Sequence, residues 1–154
     1  MMTQETLQNL LPTSSIPFTT ELGGEFLVVH VEPTDFKAFM NRLRIDEQLN
    51  MDYLFCLTCI DWKTHLTMVY HLTSTTHREI TLVVKSKLNR DQPEIETVCD
   101  IWRTAEFHER EVYEMFGVKF MRHPDLRLLI LPDGWEGKNP MRKDFEDPVN
   151  MIKL

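Results

Sequence analysis

The hydrophobic pattern changes period several times along the chain, and each change marks an element. GGEFLVVHV, residues 23–31, is a compact apolar run rich in β-formers and predicts a strand. In EPTDFKAFMNRLR the residues Phe36, Phe39, Met40 and Leu43 recur at i, i+3, i+4 and i+7, one stripe of a helix that Thr34 is placed to cap. YLFCLTCIDW, residues 53–62, is apolar at both alternating sets of positions, which predicts a central strand covered on two sides. HLTMVYHLTS then sets Leu66, Met68, Tyr70 and Leu72 against His65, Thr67, Val69 and His71, and REITLVVKSK repeats the alternation with Ile80, Leu82 and Val84. Short polar joints at 63–64 and 74–77 predict consecutive antiparallel hairpins. A right-handed parallel crossover through the helix would link the first two strands. The expected fold class is α+β: a β-α-β-β-β core with a mostly antiparallel sheet, helices packed on it, and an extended irregular C-terminal arm.

Past Lys87 the period is lost. NRDQPEIE, broken by Pro93, reads as a loop and TVCDIW as a short helix. A longer helix follows, capped by Thr104, running to about Phe116 and stopped by Gly117, the residue suited to a left-handed C-terminal position. From Val118 to Leu154 there are four prolines (Pro124, Pro132, Pro140, Pro148) and no sustained period, yet also Leu126, Leu128, Leu129, Ile130, Leu131, Trp135, Met141 and Phe145. Long irregular segments are functional or disordered, and disordered ones are poor in large apolar side chains. An arm that buries those side chains on a partner, or back on its own domain, is what remains, with the partner favoured. The expected organisation is a lead over residues 1–22, an α+β domain over 23–117 and a partner-binding arm over 118–154.

Composition narrows the classes. The 154 residues, 42% hydrophobic and 27% charged, suffice for one domain with a core. A net charge of -7 argues against a general nucleic-acid binder. No stretch approaches the roughly 18 apolar residues of a membrane span, and MMTQETLQNLLPTSS lacks the apolar centre of a signal peptide. Three cysteines without a dense framework fit a reducing compartment, so a cytoplasmic chain is expected.

FHEREVYEMFG, residues 107–117, carries the densest charge and opens like the HExxH zinc signature. The second histidine would fall at position 112, which is Val112, so the zinc-protease reading fails. A carboxylate-bridged centre needs Glu-x-x-His, and Ala105 stands three residues before His108. Glu106 with Arg110 and Arg110 with Glu114 are i, i+4 pairs that account for part of the charge as a surface ladder. Glu109 and Glu111 are left over, and an arm bearing Arg122, Arg127, Arg142 and Lys143 follows, an interface signal. Cys56 and Cys59 form a CxxC, but three residues apart on a strand their sulfurs point to opposite faces; inert thiols are expected. His65 and His71 read as sheet-surface residues, and neither a GxSxG elbow nor a glycine-rich phosphate loop is present.

From Asp100 to Phe145 the chain resembles the 30-kilodalton subunit family of respiratory complex I, the C subunit of bacterial NADH:quinone oxidoreductase. The matching residues are Glu109, Arg110, Glu111, Glu114, Phe116 and Gly117, then His123, Pro124, Asp125, Leu126 and Arg127, then Trp135, Gly137, Pro140, Arg142, Lys143 and Asp144. DYLFCLTCIDW and MVYHLTS extend the likeness over most of residues 25–148. Two departures are the cysteines of CLTC and GKN in place of the usual GH before Pro140, with Asn139 reading as a one-residue insertion. The resemblance implies a non-catalytic structural subunit of the peripheral arm of the complex, without flavin, iron-sulfur cluster or metal of its own. NADH, flavin, iron-sulfur clusters and quinone would be handled by other subunits. It implies docking beside the 49-kilodalton-like quinone-site subunit, on the cytoplasmic side of the bacterial inner membrane and attached to the membrane only through the complex. The matching residues from Glu109 to Asp144 would form the partner interface, with Trp135 as apolar anchor and Arg142 and Lys143 as charged clasps. The same module serves membrane-bound hydrogenases and ferredoxin- or photosynthetic-type complexes. A self-contained metalloenzyme using His108 and the glutamates is the alternative from a different class.

Overall fold

A computed structural model describes residues 4–11, 16–21, 24–77 and 80–151. The stretch read as a lead contributes two elements. Helix α1, Gln4–Leu10, buries Leu7, which joins Leu11 in the core, and strand β1, Thr19–Glu21, pairs antiparallel with β2, Leu27–His30. Gly23, where the first strand was expected to begin, lies outside the described residues.

Helix α2 spans Pro33–Ile45 and fully buries the predicted stripe Phe36, Phe39, Met40 and Leu43. Thr34 is not its cap. The helix begins two residues earlier because Pro33 supplies a pre-set φ at the first turn, and Glu32 holds the N-cap place without a side-chain bond.

Three strands of nine residues, β3 (Tyr53–Asp61), β4 (His65–Thr73) and β5 (Thr81–Asn89), form the expected antiparallel meander. The two hairpins occupy both edges of β4, so β2 can join only at a free edge of β3 or β5. It runs parallel to β5, giving the order β1-β2-β5-β4-β3. The first two strands run parallel in one sheet, joined through α2 as expected of a crossover, but they are not neighbours: the connection carries the chain past β5 and β4. Nor is β3 central. It is an edge strand whose inward residues Leu54, Leu57 and Cys59 are buried, while Tyr53 and Phe55 on the other side are 45% and 41% exposed.

Inward rows run across the sheet as Leu27, Leu82, Leu72 and Leu54, then Val29, Val84, Tyr70 and Leu57. The Phe36 ring meets Tyr70 at 4.8 Å between centroids, joining helix layer to sheet.

TVCDIW is a single turn rather than a helix. The amides of Ile101 and Trp102 both bond the Val98 carbonyl, and the Trp102 indole donates to the Met51 carbonyl at 3.0 Å. Part of the predicted loop is a strand: β6, Glu94–Glu96, pairs in parallel with β7, Lys119–Met121, burying Ile95 and Phe120. Between them lies helix α3, Ala105–Phe116. Thr104 precedes it in helical conformation, and its hydroxyl donates to the Leu54 carbonyl instead of capping the helix. Gly117 ends α3 at φ 77°, the left-handed position its sequence predicts. Among the described residues no helix is long and apolar enough to cross a membrane.

Candidate functional site

Helix α3 lies over β3 and buries three charged residues, Glu109, Arg110 and Glu114, at 0%, 5% and 1% exposure. Buried charge is costly unless it is bonded. The Glu106–Arg110–Glu114 surface ladder does not form, because Arg110 and Glu114 bond backbone groups of the segment that follows.

Glu114 accepts the amides of Leu129, Ile130 and Leu131 at 2.8–3.1 Å. Arg110 donates to the carbonyls of Arg127 and Leu128 at 3.1 and 2.6 Å, with Asp125 3.9 Å away. Arm residues without a ladder must satisfy their polar backbone elsewhere, and α3 supplies an anion for the amides and a cation for the carbonyls. Glu109 faces the other way. It accepts the Val98 amide at 2.8 Å and the Thr97 hydroxyl, and lies 3.8 Å from the His123 ring. Burial pushes its carboxyl up to about 7. Glu111 is exposed on the outer side of the helix.

The arm returns over the end of α3. Met141 donates its amide to the Met115 carbonyl at 3.0 Å, and Arg142 donates to the Phe116 carbonyl at 2.7 Å, a cation at the negative end of the helix. Asn139, at φ 49°, lays its side chain against Gly117, where an added Cβ would stand 2.8 Å from it. Further on, buried Asp61 accepts the Lys143 amide at 2.9 Å and two bonds from Arg90, which also grips Asp144 at 2.6 Å. The Arg90 guanidinium holds the Asp61 carboxyl well below the usual carboxylate range.

Several interface residues expected from the sequence make bonds within this chain. Arg142 caps α3, and Asp144 binds Arg90. Trp135 is half-buried against Phe145, centroids 6.3 Å apart, with the Lys138 ammonium 4.4 Å over its ring. The Lys143 ammonium lies 5.8 Å from the Trp62 ring. Arg127 pairs with Asp125 at 2.9 Å; Pro124 and Gly137 are exposed and Pro140 half-buried. Among its exposed charged residues the arm also turns large apolar side chains outward: Ile130 is 63% and Met141 59% exposed, and on α3 Phe107 is 57% exposed. Phe107, Arg110 and Glu114 fall on one helical stripe, so that ring flanks the track along which the arm is held.

Asp61 and Arg90 escaped the sequence reading. Asp61 ends an apolar strand and Arg90 opens a polar loop, and no local signal joins residues 29 apart. Cys56 and Cys59 diverge as the strand period requires. Cys59 sits in the inward row, where burial pushes its thiol up to about 12, and Cys56 stands opposite His71 on the outer face.

Cys99, Glu109 and His123 bring three potential ligand atoms within 4.8 Å of one another. Their bonds are already committed. The Asp125 amide donates to His123 Nδ1 at 3.0 Å, which puts the ring proton on Nε2, donating to the Glu106 carbonyl at 3.0 Å. A metal on Nε2 would force that proton onto Nδ1, against the Asp125 N–H.

The same fold occurs in respiratory membrane complexes. It superposes with a TM-score of 0.75 and 28% identity, over 92% of this chain and 84% of the other, on a chain of the membrane-bound sulfane sulfur reductase, an archaeal respiratory membrane complex. A trypsin-resistant fragment of Nqo5 matches with a TM-score of 0.65 and 26% identity, over 82% of this chain and all of that one (100%). The chain belongs to the respiratory-chain NADH dehydrogenase 30 Kd subunit family, whose model matches residues 29–149. It is 43% identical over 119 residues to the NADH-quinone oxidoreductase C/D subunit of Phocaeicola vulgatus, across 77% of this chain and 23% of that protein. It is 38% identical over 122 residues to the NADH-quinone oxidoreductase C subunit of Chloroherpeton thalassium, across 79% of this chain and 50% of that protein. It is 41% identical over 123 residues to the F(420)H(2) dehydrogenase C subunit of Methanosarcina mazei, across 74% and 77%. The chain thus spans about a quarter to a half of the first two relatives.

Proposed function

We propose that the chain is a structural subunit of the peripheral part of a quinone-reducing respiratory complex, seated against the 49-kilodalton-like subunit that helps form the quinone site. The observation that carries this reading is the arm: buried Arg110 and Glu114 hold its backbone while Ile130 on the arm and Phe107 on α3 both stay exposed. Exposed large side chains on a segment with its polar groups already satisfied are suited to burial by another protein. NADH, flavin, iron-sulfur clusters and quinone are handled by the other subunits in this reading, on the cytoplasmic side of the membrane. The D portion of the C/D relatives is the natural neighbour, since those proteins carry both letters in one name and are much longer than this chain.

Co-purification of the tagged chain from its native membrane tests the proposal. Ile130→Asp should leave the isolated chain folded and lose the complex, and deletion of residues 135–154 should do the same. Normal assembly and quinone reductase activity after both changes would refute the docking role. Stoichiometric zinc, iron or manganese in the purified chain would instead favour a metal-dependent activity. A second reading, the equivalent subunit of a complex with a different electron donor, is favoured by the likeness to the F(420)H(2) dehydrogenase protein across 77% of its length. The electron donor oxidised by the purified complex separates the two.

A further inference from the structure

Turned away from α2 and α3 is the other face of the five-stranded sheet, where Val69 and Val83 are buried in the middle but the β3 margin is exposed at Tyr53, Phe55 and Thr58. Register places Val28, Val83, His71 and Cys56 in one outward row, His30, Lys85, Val69 and Thr58 in the next, and Lys87, Thr67 and Ile60 in a third. At one end the irregularity between Leu54 and Cys56 turns Phe55 to this face, where its ring lies 5.8 Å from His71 and 6.3 Å from Tyr53. Phe26 meets His71 edge-on at 6.2 Å from the other side, completing an aromatic strip across the sheet.

The charge of this face is opposite to that of the chain. The protein carries -7 overall, yet the outward strand positions hold Lys85 and Lys87 and a single carboxylate, Glu21, which already pairs with His30 at the far edge. Among the described residues no carboxylate forms an ion pair with Lys85 or Lys87. His71 sits in the middle with a buried Nδ1 that has no hydrogen-bond partner. β3 has the sequence of a strand covered on both sides, and among the described residues only its inward side is covered.

We infer that this outer sheet face is a second docking surface, which takes an acidic, partly apolar segment of another polypeptide. Apolar side chains of that segment cover Phe55, Tyr53 and Ile60, and its carboxylates meet Lys85 and Lys87. Complementary charge of this kind sets orientation and excludes wrong partners more than it adds affinity. The inference rests on the chain being a complex subunit, as proposed above, but uses none of the arm's residues.

Lysine acetylation and carbodiimide coupling on the intact complex and on the isolated chain test it. In the complex Lys85 and Lys87 should lose their acetylation, and coupling should join one of them to an aspartate or glutamate of a different polypeptide. Lys85→Glu with Lys87→Glu should abolish that cross-link; both side chains point outward, and Lys85→Gln with Lys87→Gln serves if the double reversal fails to fold. Equal acetylation in both states would overturn the inference. Cross-links only between two copies of this chain would overturn it in favour of a homodimer. Protection seen in bilayers but lost in the detergent-solubilised complex would overturn it in favour of a lipid surface. A photo-cross-linker at position 130 reports the arm separately: capture there with both lysines free sinks only the second surface, and the reverse sinks only the arm.

Discussion

The β3–β5 meander and the C-terminal arm meet the same requirement by opposite means. In the meander every strand satisfies its backbone against a neighbouring strand, and apart from Asp61 at the end of β3 its charged residues stay out of the core. In the arm the amides of residues 129–131 go to Glu114, the carbonyls of 127 and 128 to Arg110, and the amide of 143 to Asp61. Buried charge takes the place of a neighbouring strand. The contrast teaches that an irregular segment can be held in one course without a ladder, provided the domain offers ionised groups at the right places.

The sharpest way to break the contrast is to remove the anion under the arm. Glu114→Ala leaves three amides without their acceptor and should cost about 3 kcal/mol, read by urea unfolding. Hydrogen exchange should quicken at residues 129–131 while β4 stays protected. Asp61→Asn should be next, at about 2 kcal/mol, with exchange rising around residues 143 and 144. Because Arg90 depresses the folded Asp61 carboxyl below its ordinary 3.8, its stabilisation is present above that value and lost as pH falls through the folded one. An acid titration of stability should show this loss in the parent and not in the variant.

Glu109 should show the reverse dependence. Its carboxyl is raised by burial from 4.5 to about 7, so its contribution is complete below pH 4.5 and disappears as pH rises through about 7. Stability should fall between pH 5 and pH 8 by an amount on the order of 2 kcal/mol. Glu109→Gln should flatten that slope, and an unchanged slope would assign it to other groups. The smallest effect expected is at the end of α3. Gly117→Ala places a Cβ at φ 77° and 2.8 Å from the Asn139 side chain, and should cost about 1 kcal/mol by thermal unfolding. Adding Asn139→Ala should relieve the contact but not the backbone strain.

The elements of the meander and of α2 were legible because their apolar residues repeat at 2 and at about 3.6 positions, and each repeat is contained in a few consecutive residues. The β6–β7 pair was not, since three residues flanked by charge show no period. In the arm the sequence showed that large apolar residues needed cover, and the matching residues from Glu109 to Asp144 mark the region that α3 and the arm occupy together. What could not be read was which intrachain bonds hold the arm: Arg142 and Asp144 bind Phe116 and Arg90.

The sequence by itself determined β2, the three meander strands, α2 and α3, the left-handed stop at Gly117 and the presence of an irregular apolar arm, because each follows from local sterics and periodicity. Only the tertiary structure decided that β2 joins β5, that β3 lies at an edge with an open face, and that Glu109, Arg110 and Glu114 are buried backbone partners rather than a surface ladder. Those outcomes depend on which segments far apart in the chain come to lie together. A glutamate's spacing along a helix is the same whether water or another segment's amides cover it.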